Sequence, residues 1–96
     1  MSKYGVEAGD PILMLAEEAS EVIKECMKAQ RFGLAGTKVW LANGGLSPRE
    51  NIVQEVGDFL VIVDRLVANG VMGWDEIEGA KAKKRERLRK LFDGEQ

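Results

Sequence analysis

Two pairs of carboxylates stand three residues apart in this sequence, and each pair lies beside apolar residues. The first is Glu18 and Glu21, within LAEEASEV, and the second is Glu55 and Asp58, within VQEVGDFLVIV. Burying an unpaired ionised carboxylate is costly, so an apolar run rarely contains one without a partner. Because residues three apart share a face of a helix, each pair can present two carboxylates to one site.

Four carboxylates that converge would raise one another's pKa or require a cation, because like charges at close range repel. Ligands that are all oxygen suit a hard ion such as Mg²⁺ or Mn²⁺. Either motif alone is common on solvated helices, where it is a surface feature. Two such motifs, each beside an apolar stripe, favour a metal site formed by Glu18, Glu21, Glu55 and Asp58.

The composition restricts the remaining chemistry. The chain contains no histidine and a single cysteine, Cys26. An intrachain disulfide and a Ser-His-Asp triad are therefore excluded, and a zinc site of the usual Cys/His type is disfavoured. Catalysis must use carboxylates, lysine or arginine, hydroxyls or a bound metal.

Length and hydropathy predict a single domain that spans residues 1–96. Apolar residues make up 45% of the chain and charged residues 31%, as in ordinary soluble proteins. No apolar run approaches the roughly 18–20 residues that span a bilayer. The first residues lack the apolar centre of a secretory signal. We therefore expect a cytoplasmic protein without a membrane partner.

Capping signals divide the chain into three helices. Asp10 followed by Pro11 predicts the start of the first helix, which should end near Gly33. The sequence SPRE at 47–50 is a capping-box motif with proline in the first helical position, and the second helix should run from there to about residue 68. The third helix should run from about residue 74 to about residue 92.

The glycine-rich connection at 33–46 fits neither a helix nor a strand well. It contains TKVWL, which could form a short strand or a helical turn. A connection of this length in a small domain is usually either functional or mobile. The simpler interpretation is a surface loop that is anchored by Trp40.

Apolar periodicity predicts which helix faces form the core. On the first helix the predicted stripe is Ile12, Leu15, Ala16, Ala19, Ile23, Cys26 and Met27. On the second helix its centre is Ile52, Val56, Phe59, Val63 and Leu66. Further apolar residues surround the second helix, so we expect it to be buried on most sides. Three helices in a short chain cannot provide that cover, which predicts a dimer or larger oligomer with a helical interface.

The third helix carries lysines in its predicted apolar stripe, which consists of Ile77, Ala80, Lys81, Lys84, Leu88 and Leu91. Such lysines commonly pack their stems and keep their ammonium groups in water. The functional alternative is that Lys81 and Lys84 lean over the acidic site and bind an anion that bridges the metal, most naturally a polyphosphate. Residues 81–90 hold seven of the 14 basic side chains.

These residues resemble those of the MazG-like, all-α nucleoside triphosphate pyrophosphohydrolases. That family carries an ExxE motif on one helix and an ExxD motif on a later one, as at 18–21 and 55–58 here. RFGL at 31–34 and the closing IEGAKAKKRERL at 77–88 are also similar to the compact, single-domain members. The resemblance covers roughly residues 12–91.

The resemblance implies an antiparallel helical bundle with a four-helix-type core that is completed by oligomerisation, as a homodimer or homotetramer. It also implies a Mg²⁺-dependent enzyme, with Mn²⁺ as a possible substitute, that cleaves an NTP or dNTP to the monophosphate and pyrophosphate in nucleotide-pool house-cleaning. Glu18, Glu21, Glu55 and Asp58 then match the catalytic, metal-binding carboxylates. Lys81 matches a phosphate-contacting lysine, and either Lys84 or Lys83 matches a second one.

Several alternatives accompany this interpretation. Phosphoribosyl-ATP pyrophosphatase and the dimeric dUTPase-like enzymes belong to the same superfamily. The non-enzymatic alternative is a helical interaction module whose basic tail binds nucleic acid, although the acidic first helix and the net charge of −2 argue against it. Two further substrate contacts are candidates: Trp40 could stack on a base and Arg31 could touch a phosphate, although packing and surface roles are the simpler explanations.

Overall fold

The computed structural model describes residues 11–36 and 45–93, which form three α-helices and no strand. Helix α1 spans Pro11–Phe32, α2 spans Pro48–Ala68 and α3 spans Trp74–Phe92. These bounds confirm the three predicted helices. The predicted cap Asp10 and the TKVWL segment lie outside the described residues.

Local hydrogen bonds explain why α2 begins where the sequence predicts. The Ser47 hydroxyl accepts the Glu50 N–H at 3.1 Å, and the Glu50 carboxylate accepts the Ser47 N–H at 2.9 Å. This reciprocal pair satisfies two backbone donors that a helix start otherwise leaves unpaired. Proline follows at the first helical position, where its missing N–H costs nothing.

Helices α1 and α2 are antiparallel neighbours. The end of α1 meets the start of α2, because the Arg49 N–H donates to the Leu34 carbonyl at 3.0 Å. Farther along, Glu18 of α1 meets Glu55 of α2. Gly36 has a φ of 81° and approaches α2 closely, since a Cβ at this position would lie 3.0 Å from Cδ of Pro48. The chain therefore enters α2 at a fixed point beside the end of α1.

The seam between α1 and α2 follows alternating steps of four and three residues, the spacing by which two helices interlock. In α1 the buried and half-buried positions include Pro11, Leu15, Glu18, Val22, Glu25 and Ala29. In α2 they include Pro48, Ile52, Glu55, Phe59, Ile62 and Leu66. Carboxylates thus occupy the middle of the seam on both helices.

This seam corrects the predicted core face of α1 and confirms most of the one on α2. The stripe expected to be buried on α1 is largely exposed: Ile23 is 63% exposed, Met27 is 57% exposed, and Cys26 is also exposed. On α2 the predicted stripe is buried or half-buried except for Val56, which is 39% exposed. Helix α1 is therefore rotated so that its acidic flank enters the seam, and apolar residues of both helices remain open on one side of the pair.

Helix α3 leaves the pair at a short corner. The Val71 N–H donates to the carbonyl of the fully buried Leu66 at 3.0 Å, and Gly70 turns the chain with a φ of 77°. Residues 78–93 are then all exposed. The Cα radius of gyration is 17.3 Å, larger than the roughly 13 Å of a compact chain of about 100 residues. The three helices therefore do not close into a compact bundle within one chain.

None of the described helices has both the length and the apolar character needed to cross a membrane.

Candidate metal centre

Carboxylates from both sequence motifs meet at the middle of the α1–α2 seam. Glu18, Glu55 and Asp58 each offer an oxygen atom, and these three oxygens all lie within 4.8 Å of one another. We refer to these residues as the acidic triad. Glu18 and Glu55 are half-buried in the seam, while Asp58 is exposed at its edge. The antiparallel packing therefore brings ExxE and ExxD together, although they lie more than 30 residues apart in the sequence.

Helix geometry accounts for the different positions of the three carboxylates. Glu18 and Glu55 occupy seam positions on their helices, so each side chain points toward the opposite helix. Asp58 lies three residues after Glu55, about one turn farther along α2, on the flank of the seam. The triad thus opens to solvent on the side of Asp58.

Glu21 lies near the triad but outside it. It is half-buried, and its negative charge acts on Glu55. It is not one of the three residues whose oxygens lie within 4.8 Å of one another. The structure therefore brings three of the four predicted ligands together and leaves Glu21 as a neighbouring carboxylate.

The electrostatics of the seam act most clearly on Glu55. Its partial removal from water raises its pKa above the ordinary value of 4.5, because burial disfavours the charged carboxylate. The surrounding negative charges raise this pKa further, and they come, in decreasing order, from Asp58, Glu18, Glu21 and Glu25. A bound cation would reverse both effects, since it would stabilise the ionised form.

Glu25 also lies in the seam near the acidic triad, although the sequence did not predict it as a site residue. It is only 8% exposed, and its Oε1 lies 3.3 Å from the Lys28 ammonium. Its second oxygen, Oε2, is buried without a hydrogen-bond partner among the described residues. The available signal was its spacing: Glu25 lies seven residues after Glu18, on the same face of α1.

The chemistry of the triad suits a hard divalent cation, because all three residues offer carboxylate oxygens. In octahedral Mg²⁺ coordination at about 2.1 Å, neighbouring ligand oxygens lie about 3 Å apart and opposite ones about 4 Å apart. The triad oxygens lie within 4.8 Å of one another, which is close to this spacing. Three carboxylates leave further coordination positions for water or phosphate oxygens. Glu18, Glu55 and Asp58 are therefore the residues that could hold such an ion.

The predicted substrate contacts lie apart from the triad or outside the described residues. Lys81 is exposed on α3 and pairs with Glu78 at 2.9 Å, and Lys84 is exposed on the same helix. Arg31 is exposed at the end of α1, with its guanidinium carbon 5.7 Å from the centre of the Phe32 ring. Trp40 lies outside the described residues. The roles of these four residues stay predictions.

No protein-family model, curated protein or solved structure matches this chain.

Proposed function

We propose that this chain is a Mg²⁺-dependent nucleoside triphosphate pyrophosphohydrolase that releases pyrophosphate from an NTP or dNTP. The observation that carries the proposal is the acidic triad, in which carboxylates of two separate sequence motifs meet in one helix seam. The resemblance to MazG-like enzymes rests on the same residues. Mn²⁺ is the expected substitute for Mg²⁺, because both ions prefer oxygen ligands.

The division of roles follows from the geometry. Glu18, Glu55 and Asp58 would hold the ion, which when bound neutralises phosphate charge and makes a coordinated water more acidic. Glu21 lies beside this group without belonging to it, so its carboxylate can orient the attacking water or accept its proton. In this proposal Glu18 serves as a metal ligand, and Glu21 is the general base.

Oligomerisation belongs to the same proposal. Only three apolar residues, Pro48, Ile62 and Leu66, are buried among the described residues of a single chain. Large apolar side chains remain exposed on both helices of the pair, which is typical of a surface that another protein covers. We infer a homodimer or homotetramer in which a second copy completes the helical core.

The direct test is a panel of nucleotides in which pyrophosphate and orthophosphate are measured separately. We expect release of pyrophosphate from at least one NTP or dNTP, and its loss in EDTA. Preference for dUTP or for phosphoribosyl-ATP would identify one of the alternative enzymes of the superfamily. Absence of any Mg²⁺-dependent hydrolysis across the panel would refute the proposal.

Matched substitutions test the assignment of the site. Glu55→Gln and Asp58→Asn should abolish hydrolysis while helix content is retained. The same changes at exposed positions, Glu17→Gln on α1 and Asp64→Asn on α2, should leave hydrolysis near the wild-type rate. Normal turnover in Glu55→Gln or Asp58→Asn would show that the triad is not the site.

The non-enzymatic alternative has one observation in its favour, the exposed basic helix α3, which holds seven of the 14 basic residues. A nucleic-acid module of this kind would bind DNA with an affinity that falls steeply with salt, because its cations displace counterions from phosphate. A steep salt dependence without any effect of Mg²⁺ would favour this alternative over the enzyme.

A further inference from the structure

Helix α3 has an apolar stripe that its own chain leaves uncovered. Leu88 is 38% exposed and Leu91 is 62% exposed, and both share a helix face with Ile77. Lys81 and Lys84 lie on the same face, between the apolar residues. The stripe therefore has apolar ends and a basic middle.

The α1–α2 pair has an apolar surface of its own that is also uncovered. We call it the open face, and it comprises Ile23, Met27, Val53, Val56 and Leu60, all of which are exposed. A groove of about 260 Å³ runs into this face, lined by Ala19, Val22, Ile23, Val56 and Phe59. Its walls are apolar, and the small Ala19 leaves room for a helix to approach closely.

The corner between α2 and α3 holds the stripe away from the open face of its own chain. Residues 69–73 are tied to α2 by backbone hydrogen bonds to Arg65, Leu66 and Val67, and the Gly73 N–H is held by the Glu76 carboxylate at 2.9 Å. Val71 and Met72 are half-buried there. Because this corner is short and hydrogen-bonded, α3 projects outward as an arm.

The helix pair and the arm carry opposite net charges. Helices α1 and α2 together carry eight acidic and five basic residues, whereas α3 carries four acidic and seven basic residues. The pair therefore has a net charge of −3 and the arm a net charge of +3. Opposite charges of equal size favour docking of the arm on a pair and disfavour contact between two arms or between two pairs.

We propose that two copies of this chain exchange their α3 helices, so that the arm of each copy lies in the apolar groove of the other. Exchange of an identical element is a low-cost route to a dimer, because each copy gains the contact that it gives. Each open face is then covered by the stripe of the partner's arm. The resulting unit is two three-helix bundles, each of which is completed in trans.

The first test measures the mass of the full chain in solution by light scattering. We expect twice the chain mass of 10.6 kDa, and a monomer for the double variant Leu88→Gln/Leu91→Gln. The matched control is Lys83→Gln/Lys90→Gln, which places the same residue at two exposed positions on the opposite side of α3 and should stay dimeric. A monomeric wild type, or a Leu88/Leu91 variant that stays dimeric with its helix content intact, would overturn the exchange.

The second test distinguishes exchange from an arm that folds back onto its own chain. Cys26 is exposed and lies three residues after Ile23, at the edge of the open face. A copy with Cys26 is mixed with a size-tagged Cys26→Ser copy that carries either Ala80→Cys or Leu88→Cys, and a short bismaleimide is added. We expect a crosslink between the two copies for at least one position and none for Lys90→Cys. The absence of a crosslink between the two copies at both positions would overturn the proposal.

The readouts separate this inference from the proposed enzyme. Mass and crosslinking require neither the metal nor hydrolysis, so the exchange can fail while hydrolysis is observed, and the reverse also holds.

Discussion

The Asp58→Asn variant should be more stable than the wild type in EDTA and less stable than the wild type with Mg²⁺. Without a divalent ion, oxygens of the three triad carboxylates lie within 4.8 Å of one another. Among the neighbouring charges, that of Asp58 raises the pKa of Glu55 most. Asp58→Asn removes one of these charges with little change in shape. We therefore expect Asp58→Asn to have a higher melting temperature than the wild type in EDTA.

With Mg²⁺ the order should invert, because the ion binds the folded chain and the variant lacks one of its three ligands. At a Mg²⁺ concentration about 100 times Kd, binding stabilises the wild type by about 2.7 kcal/mol. One kcal/mol corresponds to about 4–8 °C for a domain of this size, so the melting temperature should rise by about 10–20 °C. If loss of the ligand weakens binding about 100-fold, the same Mg²⁺ concentration adds only about 0.4 kcal/mol, or about 2–3 °C.

The assay is thermal unfolding followed by far-ultraviolet circular dichroism at one protein concentration, since a dimer's melting temperature depends on concentration. The control is Asp64→Asn, the same change at an exposed position of α2 that faces away from the seam. It should respond to Mg²⁺ as the wild type does. An equal response to Mg²⁺ in Asp58→Asn, or a lower stability of that variant in EDTA, would refute the reasoning about the triad.

Three further predictions concern pH, packing and capping. The raised pKa of Glu55 means that the folded chain binds a proton more readily than the unfolded chain. In EDTA, the stability of the wild type relative to Glu55→Gln should therefore rise as the pH falls from 7 toward 4.5. A stability difference that does not change with pH would contradict the acidic seam. Leu66 is fully buried, so Leu66→Ala should lower the free energy of unfolding by about 2–5 kcal/mol in chemical denaturation, whereas the same change at the exposed Leu13 should have little effect. Ser47→Ala should cost about 0.5–2 kcal/mol in the same measurement, because it removes the α2 cap; the mid-helix Ser20→Ala is its control, and equal effects of the two changes would contradict the capping argument.

The candidate site was predictable from the sequence to the extent that it depends on local spacing. The i, i+3 spacing of Glu55 and Asp58 guarantees a shared helix flank wherever the helix packs. The same holds for Glu18 and Glu21, yet the structure includes only Glu18 in the triad. Which member of a pair enters the seam depends on the rotation of α1 against α2, and no spacing within one helix sets that rotation. Glu25 was left out for the same reason, since its place in the seam depends on how α1 packs against α2.

The sequence by itself determined where the helices begin and end, because caps and turns act through hydrogen bonds over three or four residues. Ser47 with Glu50 and the glycine at position 70 are signals of this kind, and both act as their residue types predict. Only the tertiary structure decided which faces meet. It placed Glu18 and Glu55 in the seam and left the apolar face with Ile23 and Val56 open, because the best match between two helices depends on both surfaces together.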